Sequence, residues 1–188
     1  MSYRGPMARR DDVLTAVVSA LGEHGLYGLT HRKVDRAGAL PEGTTSNYFR
    51  TRAQLLSGAV EHLVAGDLQA WETMGADEIT TTDDLVDIAA AFVAWAVGDG
   101  RPRSSAQIAL LEAAITNPEV SEVLTRARKV IEHRANQLCS PLGLDRTQVA
   151  ILLDATDAII FRQLAMPEST IGFDPRRYFS ALLNTLTR

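Results

Sequence analysis

Apolar side chains recur at three- and four-residue intervals along most of the chain, and this spacing predicts amphipathic helices. No stretch alternates between apolar and polar residues with the two-residue period of a half-buried strand. Helix-start signals separate the apolar rows, among them capping-box spacings at Thr51 and Asp145 and an Asn117-Pro118 pair. The pattern therefore predicts an all-α protein of nine helices. They span about residues 11–24, 30–38, 42–48, 51–75, 82–98, 104–116, 117–138, 145–165 and 174–187.

The third predicted helix differs from the others because it holds almost no large apolar side chain before Tyr48. Its residues 43–47 are small and form hydrogen bonds, which suits a core poorly. Such residues let a helix backbone approach base edges and phosphates in a major groove. A short helix and a turn containing glycine and proline precede it, so residues 30–48 have the order of a helix-turn-helix.

Residues 30–56 resemble the DNA-binding motif of the tetracycline-repressor (TetR) family, and the motif match extends over about residues 10–60. The matching residues, in order, are Val34, Ala37, Leu40, Gly43, Thr44, Tyr48, Phe49, Arg52, Leu55 and Leu56. The rest of the chain resembles the family only in the number, length and order of its helices. The resemblance implies a TetR-like fold with an N-terminal three-helix DNA-binding domain, residues 1–51. A C-terminal domain for ligand sensing and dimerisation, residues 52–188, would follow.

The resemblance also implies which side chains meet DNA. Those expected to contact phosphates, which set register without specifying sequence, are Thr30, His31, Arg32, Tyr48 and Arg52. Those expected to face the groove are Glu42, Thr44, Thr45, Ser46 and Asn47, of which Thr44, Thr45 and Asn47 are the candidates for base contacts. Phe49 is expected to pack between the helices instead.

Three positions depart from the family pattern. Ala39 stands where the turn usually has glycine, so a positive φ there would carry a small cost. Ser46 replaces a common tyrosine that contacts phosphate. Glu42 is acidic at the groove, where it would either repel phosphate or accept a hydrogen bond from a cytosine amine.

The same resemblance places a ligand pocket among the central helices, roughly residues 60–165. The apolar candidates for its lining are Trp71, Phe92, Trp95, Leu111, Phe161 and Met166, and the polar candidates are Asp154, Asp157, Arg162 and Gln163. Aromatic residues at helical spacing also fill ordinary cores, and acids on that helix equally suit a rim or a dimer contact. Both alternatives remain open. The last two helices are expected to pair with their counterparts in a homodimer, as a four-helix bundle.

Charge is divided unevenly along the 188 residues, whose net charge is −4. Residues 1–60 carry +3 and the remainder −7, as expected if only the N-terminal part meets phosphate. The single cysteine, Cys139, and the lack of a signal-peptide or membrane-spanning apolar run predict a cytoplasmic protein without membrane contact. The expected partners are an operator in double-stranded DNA, a second copy of the chain and a small-molecule effector.

Two other functions compete with DNA-dependent regulation. An enzyme is disfavoured because the four histidines are scattered and no phosphate loop or metal-binding spacing occurs; no catalytic residue, metal or cofactor is expected. An adaptor whose helix-turn-helix no longer reads DNA is favoured by Ala39, Ser46 and the modest basic charge. Arg4, Arg9 and Arg10 form either an arm that reaches the minor groove or a solvated tail.

Overall fold

The computed structural model describes residues 6–186. For residues 6–9 and for residue 28 it describes the backbone alone. This part of the chain forms nine α-helices and no strand, which confirms the predicted fold class. The helices are α1 (Pro6–His24), α2 (His31–Ala37), α3 (Thr44–Tyr48), α4 (Arg52–Thr73), α5 (Thr82–Val97), α6 (Arg101–Ala114), α7 (Pro118–Cys139), α8 (Arg146–Ala165) and α9 (Pro175–Leu186). None of the described helices combines the length and the apolarity that a bilayer crossing requires.

The helix-start signals in the sequence correspond to real caps. The amide N–H of Gln54 donates to Thr51 Oγ1 over 3.2 Å, and the N–H of Thr51 donates to Gln54 Oε1 over 3.3 Å. Asp145 and Gln148 form the same reciprocal pair at the start of α8. These side chains satisfy backbone N–H groups that have no partner inside the helix, so α4 and α8 begin where the sequence predicts.

Three helices begin at residues other than those predicted. α1 begins at Pro6, five residues before the predicted start. α3 begins at Thr44 rather than at residue 42, because Gly43 is the N-cap and has a left-handed conformation with φ 85°. α6 begins at Arg101, three residues earlier than predicted. Pro102 therefore lies in the first helical turn, where its missing N–H has no intrahelical partner to lose.

The contacts of the fold divide the described chain into two compact units, each with its own apolar core. The first unit comprises residues 6–64 and 102–127, and the second comprises residues 65–101 and 128–186. The division thus falls within α4, whereas the sequence analysis placed a functional boundary between residues 51 and 52. That functional boundary stays a prediction.

Candidate nucleic-acid interface and apolar cavity

The turn between α2 and α3 is organised around one buried carboxylate, that of Asp35, which is 4% exposed. Asp35 Oδ2 accepts a hydrogen bond from the N–H of Gly43 over 2.8 Å. Its Oδ1 accepts from the N–H of Thr45 over 2.8 Å and from Thr45 Oγ1 over 2.5 Å. The carboxylate of α2 therefore caps the N-terminus of α3, where negative charge is also favoured by the helix dipole. The sequence analysis did not single out this residue.

In the turn itself Ala39 has a positive φ of 48°, the conformation that carries a small cost for a residue other than glycine. Gly38 has an ordinary φ of −86°, but it lies close to α1. A Cβ atom built on Gly38 would be 2.6 Å from the Cβ of Ala16, well inside contact distance. Gly38 is therefore required for space, and the left-handed conformation falls on Ala39, where a side chain makes it mildly unfavourable.

The exposure of side chains along α3 changes the predicted set of groove contacts. Thr45 is fully buried and its hydroxyl donates to Asp35, so the prediction that it faces the groove and contacts a base is wrong for this conformation. Ser46 and Asn47 are exposed, as is Glu42 in the turn, and Thr44 is half-buried. The open polar surface of this short helix is thus centred on residues 46 and 47.

The predicted phosphate contacts surround α3. Thr30 is the exposed N-cap of α2 and its hydroxyl accepts a hydrogen bond from the N–H of Lys33 over 3.4 Å. Arg32 and Arg52 are exposed, and Arg52 Nη2 also donates to the carbonyl oxygen of Leu26 over 3.2 Å. Tyr48 is half-buried against the core of the first unit. Cationic and hydroxyl groups of this kind set the position of a protein on a duplex.

His31 has a different role from the one predicted. Its imidazole is half-buried, and Nε2 lies 2.6 Å from the carbonyl oxygen of Phe49, to which it donates a hydrogen bond. That contact joins the first residue of α2 to the residue that follows α3. The imidazole therefore holds the two helices together, and this nitrogen is not available to a phosphate.

Phe49 packs in the core of the first unit, as expected, and is 4% exposed. A Cβ atom built on Gly58 of α4 would be 2.5 Å from Phe49 Cε1, so the glycine is what admits the ring. The guanidinium of Arg10 lies 5.4 Å from the centre of the same ring, a cation–π distance. Arg4 and the side chain of Arg9 lie outside the described residues.

The second unit contains a cavity with an empty volume of about 490 Å³, including its open mouth. Its lining comes from α5, α7, α8, the last turn of α4 and the segment that follows α4. The lining residues are Trp71, Ala76, Ile79, Leu85, Ile88, Ala89, Phe92, Ala135, Leu138, Cys139, Leu152, Leu153 and Thr156.

The cavity wall is mostly aliphatic and aromatic. The rings of Trp71 and Phe92 meet edge to face, with their centres 6.0 Å apart. Three lining residues carry polar atoms in their side chains: Trp71, with its indole N–H, Cys139 and Thr156. Thr156 Oγ1 donates to the carbonyl oxygen of Leu152 over 2.8 Å. Burial raises the pKa of the Cys139 thiol to about 11, so this group is uncharged at neutral pH.

Few of the residues predicted to line a ligand pocket line this cavity. Trp71 and Phe92 do line the cavity, and Trp95 supports it from behind with its ring 5.4 Å from that of Phe92. Leu111 belongs to the first unit and is 55% exposed. The remaining predicted residues all belong to α8 or follow it and are not among those that line the cavity: Asp154, Asp157, Phe161, Arg162, Gln163 and Met166.

Several of these α8 side chains have other partners. Asp154 and Asp157 accept hydrogen bonds from the Arg128 guanidinium over 2.6 and 2.8 Å, which joins α7 to α8. The Arg162 guanidinium lies 5.2 Å from the centre of the Phe173 ring. These residues lie on the face of α8 that points away from the cavity, a face that the helical period alone did not distinguish.

That outer face of α8 and the adjacent helix α9 expose apolar residues in this single chain. On α8, Ile151 is 39% and Phe161 49% exposed, and Ala158 lies exposed between them on the same face. On α9, Tyr178 is 39% exposed and Ala181 is exposed one turn later. Contiguous exposed apolar residues of this kind are typical of a surface that another chain covers.

Comparison with known proteins was made for both sequence and structure. A family profile described as "Tetracyclin repressor-like, C-terminal domain" matches residues 80–188. No curated protein matches the sequence. A transcriptional regulator from Rhodococcus sp. Rha1 superposes with a TM-score of 0.76 at 15% identity, covering 94% of this chain and 95% of that one.

Two further solved structures are similar. A TetR-family member from Streptomyces coelicolor A3 has a TM-score of 0.69 at 21% identity, covering 93% of this chain and 97% of that one. The multidrug-binding protein EbrR in complex with ethidium has a TM-score of 0.66 at 21% identity, covering 95% and 99%. At these identities the superpositions establish a common fold.

Proposed function

Because the chain belongs to the tetracycline-repressor-like (TetR) family of ligand-responsive DNA-binding transcriptional regulators, we propose that residues 30–52 bind its operator and that the cavity binds its effector. The observation that carries the DNA-binding proposal is the carboxylate of Asp35, which fixes the start of α3. It leaves the small polar side chains of Ser46 and Asn47 in solvent. A rigid stub with exposed hydrogen-bonding groups is what a major groove admits.

The proposed contacts follow from exposure. Ser46 and Asn47 face base edges, and Thr44 and Glu42 lie at the margin of the same surface. The phosphates are contacted by Thr30, Arg32, Tyr48 and Arg52. His31 acts indirectly, through its hydrogen bond to the carbonyl group of Phe49.

A homodimer completes the proposed regulator. One helix-turn-helix reads only a few base pairs, so two copies on a two-fold axis provide the usual specificity. The exposed apolar residues of α8 and α9 supply a surface for the second copy. Sedimentation at micromolar concentration is expected to give a dimer, which Phe161→Asp should weaken. The same change at Val130 of α7, which is equally exposed at 49%, should not.

We propose that ligand binding causes the release of DNA by changing the position of α4. This helix begins with Arg52, a proposed phosphate contact, and carries Trp71 of the cavity lining in its last turns. A ligand that binds one position of α4 more tightly than another shifts the equilibrium between them by that difference in affinity. Binding that favours a DNA-incompatible position makes the protein a repressor that its effector releases in the cytoplasm.

The DNA-binding proposal is tested by selecting bound fragments from random double-stranded DNA and measuring affinity for the selected site against salt. Arg52→Ala should weaken binding to all sequences alike and lower the salt slope by about 1, because it removes a phosphate contact. Asn47→Ala should instead relax the preference at one base position, at a cost of about 1–3 kcal/mol. Arg126→Ala, an exposed change on α7, is the control. A protein that selects no sequence and shows no salt dependence would instead be an adaptor.

A further inference from the structure

The charge of the cavity wall bears on the kind of molecule that the cavity binds. None of the described lining residues is an acid, a base or a histidine. A charged ligand would therefore leave water without gaining an opposite charge or a full set of hydrogen bonds. That loss of solvation is among the largest unfavourable effects in binding.

The polar atoms of the wall do not compensate for a charge. The hydroxyl proton of Thr156 is used by the carbonyl of Leu152, which leaves the Thr156 oxygen only as an acceptor. Burial keeps the Cys139 thiol protonated, so it offers no thiolate to a cation. These two groups and the indole N–H of Trp71 each offer one hydrogen bond to a ligand, which suits an uncharged molecule with few polar atoms.

Several charged side chains that neighbour lining residues in sequence form ion pairs outside the lining: Asp87 with Arg176, and Asp154 and Asp157 with Arg128. Asp77 follows the lining residue Ala76, and Arg134 precedes the lining residue Ala135. The Arg134 guanidinium donates to the carboxylate of Asp77, which joins α7 to the turn after α4. The charge of Asp77 is thereby compensated by an arginine at the same end of the lining.

We propose that the effector of this regulator is an uncharged, largely apolar molecule with an aromatic or alicyclic ring, and that the cavity discriminates against organic cations and anions. The inference rests on the proposed function of the cavity. The rings of Trp71 and Phe92 pack edge to face and both line the cavity, so a ring-shaped ligand has aromatic contacts there.

The test uses the full-length protein and three fluorescent probes. N-phenyl-1-naphthylamine is neutral, and 8-anilinonaphthalene-1-sulfonate has the same ring skeleton with an added sulfonate. Ethidium, which the structural neighbour EbrR binds, supplies the cation. The neutral probe is expected to bind at least ~100-fold more tightly than either charged probe, because of the desolvation of a charge in an apolar site.

Matched variants assign the binding to the cavity. Ala89→Met projects a longer side chain into the cavity and should weaken the neutral probe about tenfold. Ala91→Met makes the same change on the exposed side of α5 and should have no effect. Leu138→Glu places a carboxylate on the wall and should reverse the preference toward ethidium, whereas Gln137→Glu adds the same charge at the exposed neighbouring position.

Each outcome decides the question. Equal or tighter binding of ethidium or the sulfonate to the unmodified protein, or no binding of the neutral probe, overturns the inference. So does loss of neutral-probe binding in Ala91→Met to the same extent as in Ala89→Met. DNA binding is measured separately by anisotropy. Failure to bind DNA contradicts the proposed function and leaves the probe result intact.

Discussion

The proposed DNA surface and the apolar cavity are built in opposite ways. The surface comes from one segment of 23 residues, 30–52, and its shape depends on hydrogen bonds to named polar groups such as Asp35. The cavity collects residues between positions 71 and 156 from four helices, and its shape depends on apolar packing. The shape of the first kind of site depends strongly on single residues, whereas the shape of the second depends on many residues together.

The contrast extends to charge. In the proposed DNA surface the side chains of Ser46 and Asn47 are exposed and can contact a polyanion. Arg32 and Arg52 are exposed in the same segment. In the cavity the few polar groups are already bonded or uncharged. We therefore expect the two regions to select partners of opposite character, a charged polymer and an uncharged small molecule. Four predictions test this difference, from the largest expected effect to the smallest.

Replacing Asp35 should separate the two regions most sharply. Asp35→Ala leaves the N–H groups of Gly43 and Thr45 buried without an acceptor, at about 1–3 kcal/mol for each group. Affinity for the selected DNA, measured by anisotropy, should fall at least ~100-fold. Binding of the neutral probe should be unchanged. Glu23→Ala, an exposed acid on α1, is the control. Unaltered DNA affinity in Asp35→Ala would remove the basis of the comparison.

The reactivity of Cys139 should report on the cavity alone. Because burial raises its pKa to about 11, the thiolate fraction at pH 8 is on the order of 100-fold below that of a free cysteine, whose pKa is about 8.5. Alkylation of Cys139 by iodoacetamide in the native protein should therefore be slower than that of a free cysteine by the same factor, on the order of 100-fold. It should rise about tenfold per pH unit until the pH approaches 11. A rate equal to that in urea, or a plateau below pH 9, would show that the thiol is not enclosed.

Two changes at Thr45 should distinguish a structural residue from a base contact. Thr45→Val removes the hydroxyl that donates to Asp35 and should lower the free energy of unfolding by about 2 kcal/mol. Thr45→Ser keeps the hydroxyl and should recover most of that loss. The DNA sequence selected by both variants should stay the same, as judged by repeating the selection. An altered base preference would show instead that Thr45 contacts a base in the groove.

The smallest effect is expected at the start of α5. Hydrogen bonds from the backbone of Thr80 and from Thr81 lower the pKa of Asp84 to about 2. Its folded pKa is below its unfolded value, so its stabilisation is full above about pH 4 and is lost as the pH falls through 2. The stability difference between wild type and Asp84→Asn should therefore shrink over this range. Asp83→Asn, the exposed neighbour, should show no such convergence.

The surface segment was predictable from sequence to a large extent because its signals are local. The caps at Thr30 and Thr51 follow from short-range chemistry, and the burial of Phe49 was implied by the family resemblance of the same segment. Asp35 was missed because an acid beside Val34 on a short helix looks like an ordinary surface residue. A weak signal existed: Asp35 lies directly after a core position and is followed eight and ten residues later by the groups that it caps.

The sequence by itself determined the nine helices and the polar character of α3, because periodicity and capping act over three to seven residues. Only the tertiary structure decided which faces are covered. It buried Thr45, occupied the imidazole of His31, and turned Asp154 and Asp157 away from the cavity. The physical reason is that a helix offers several faces of similar composition, and the choice among them is made by packing against residues far away in the chain.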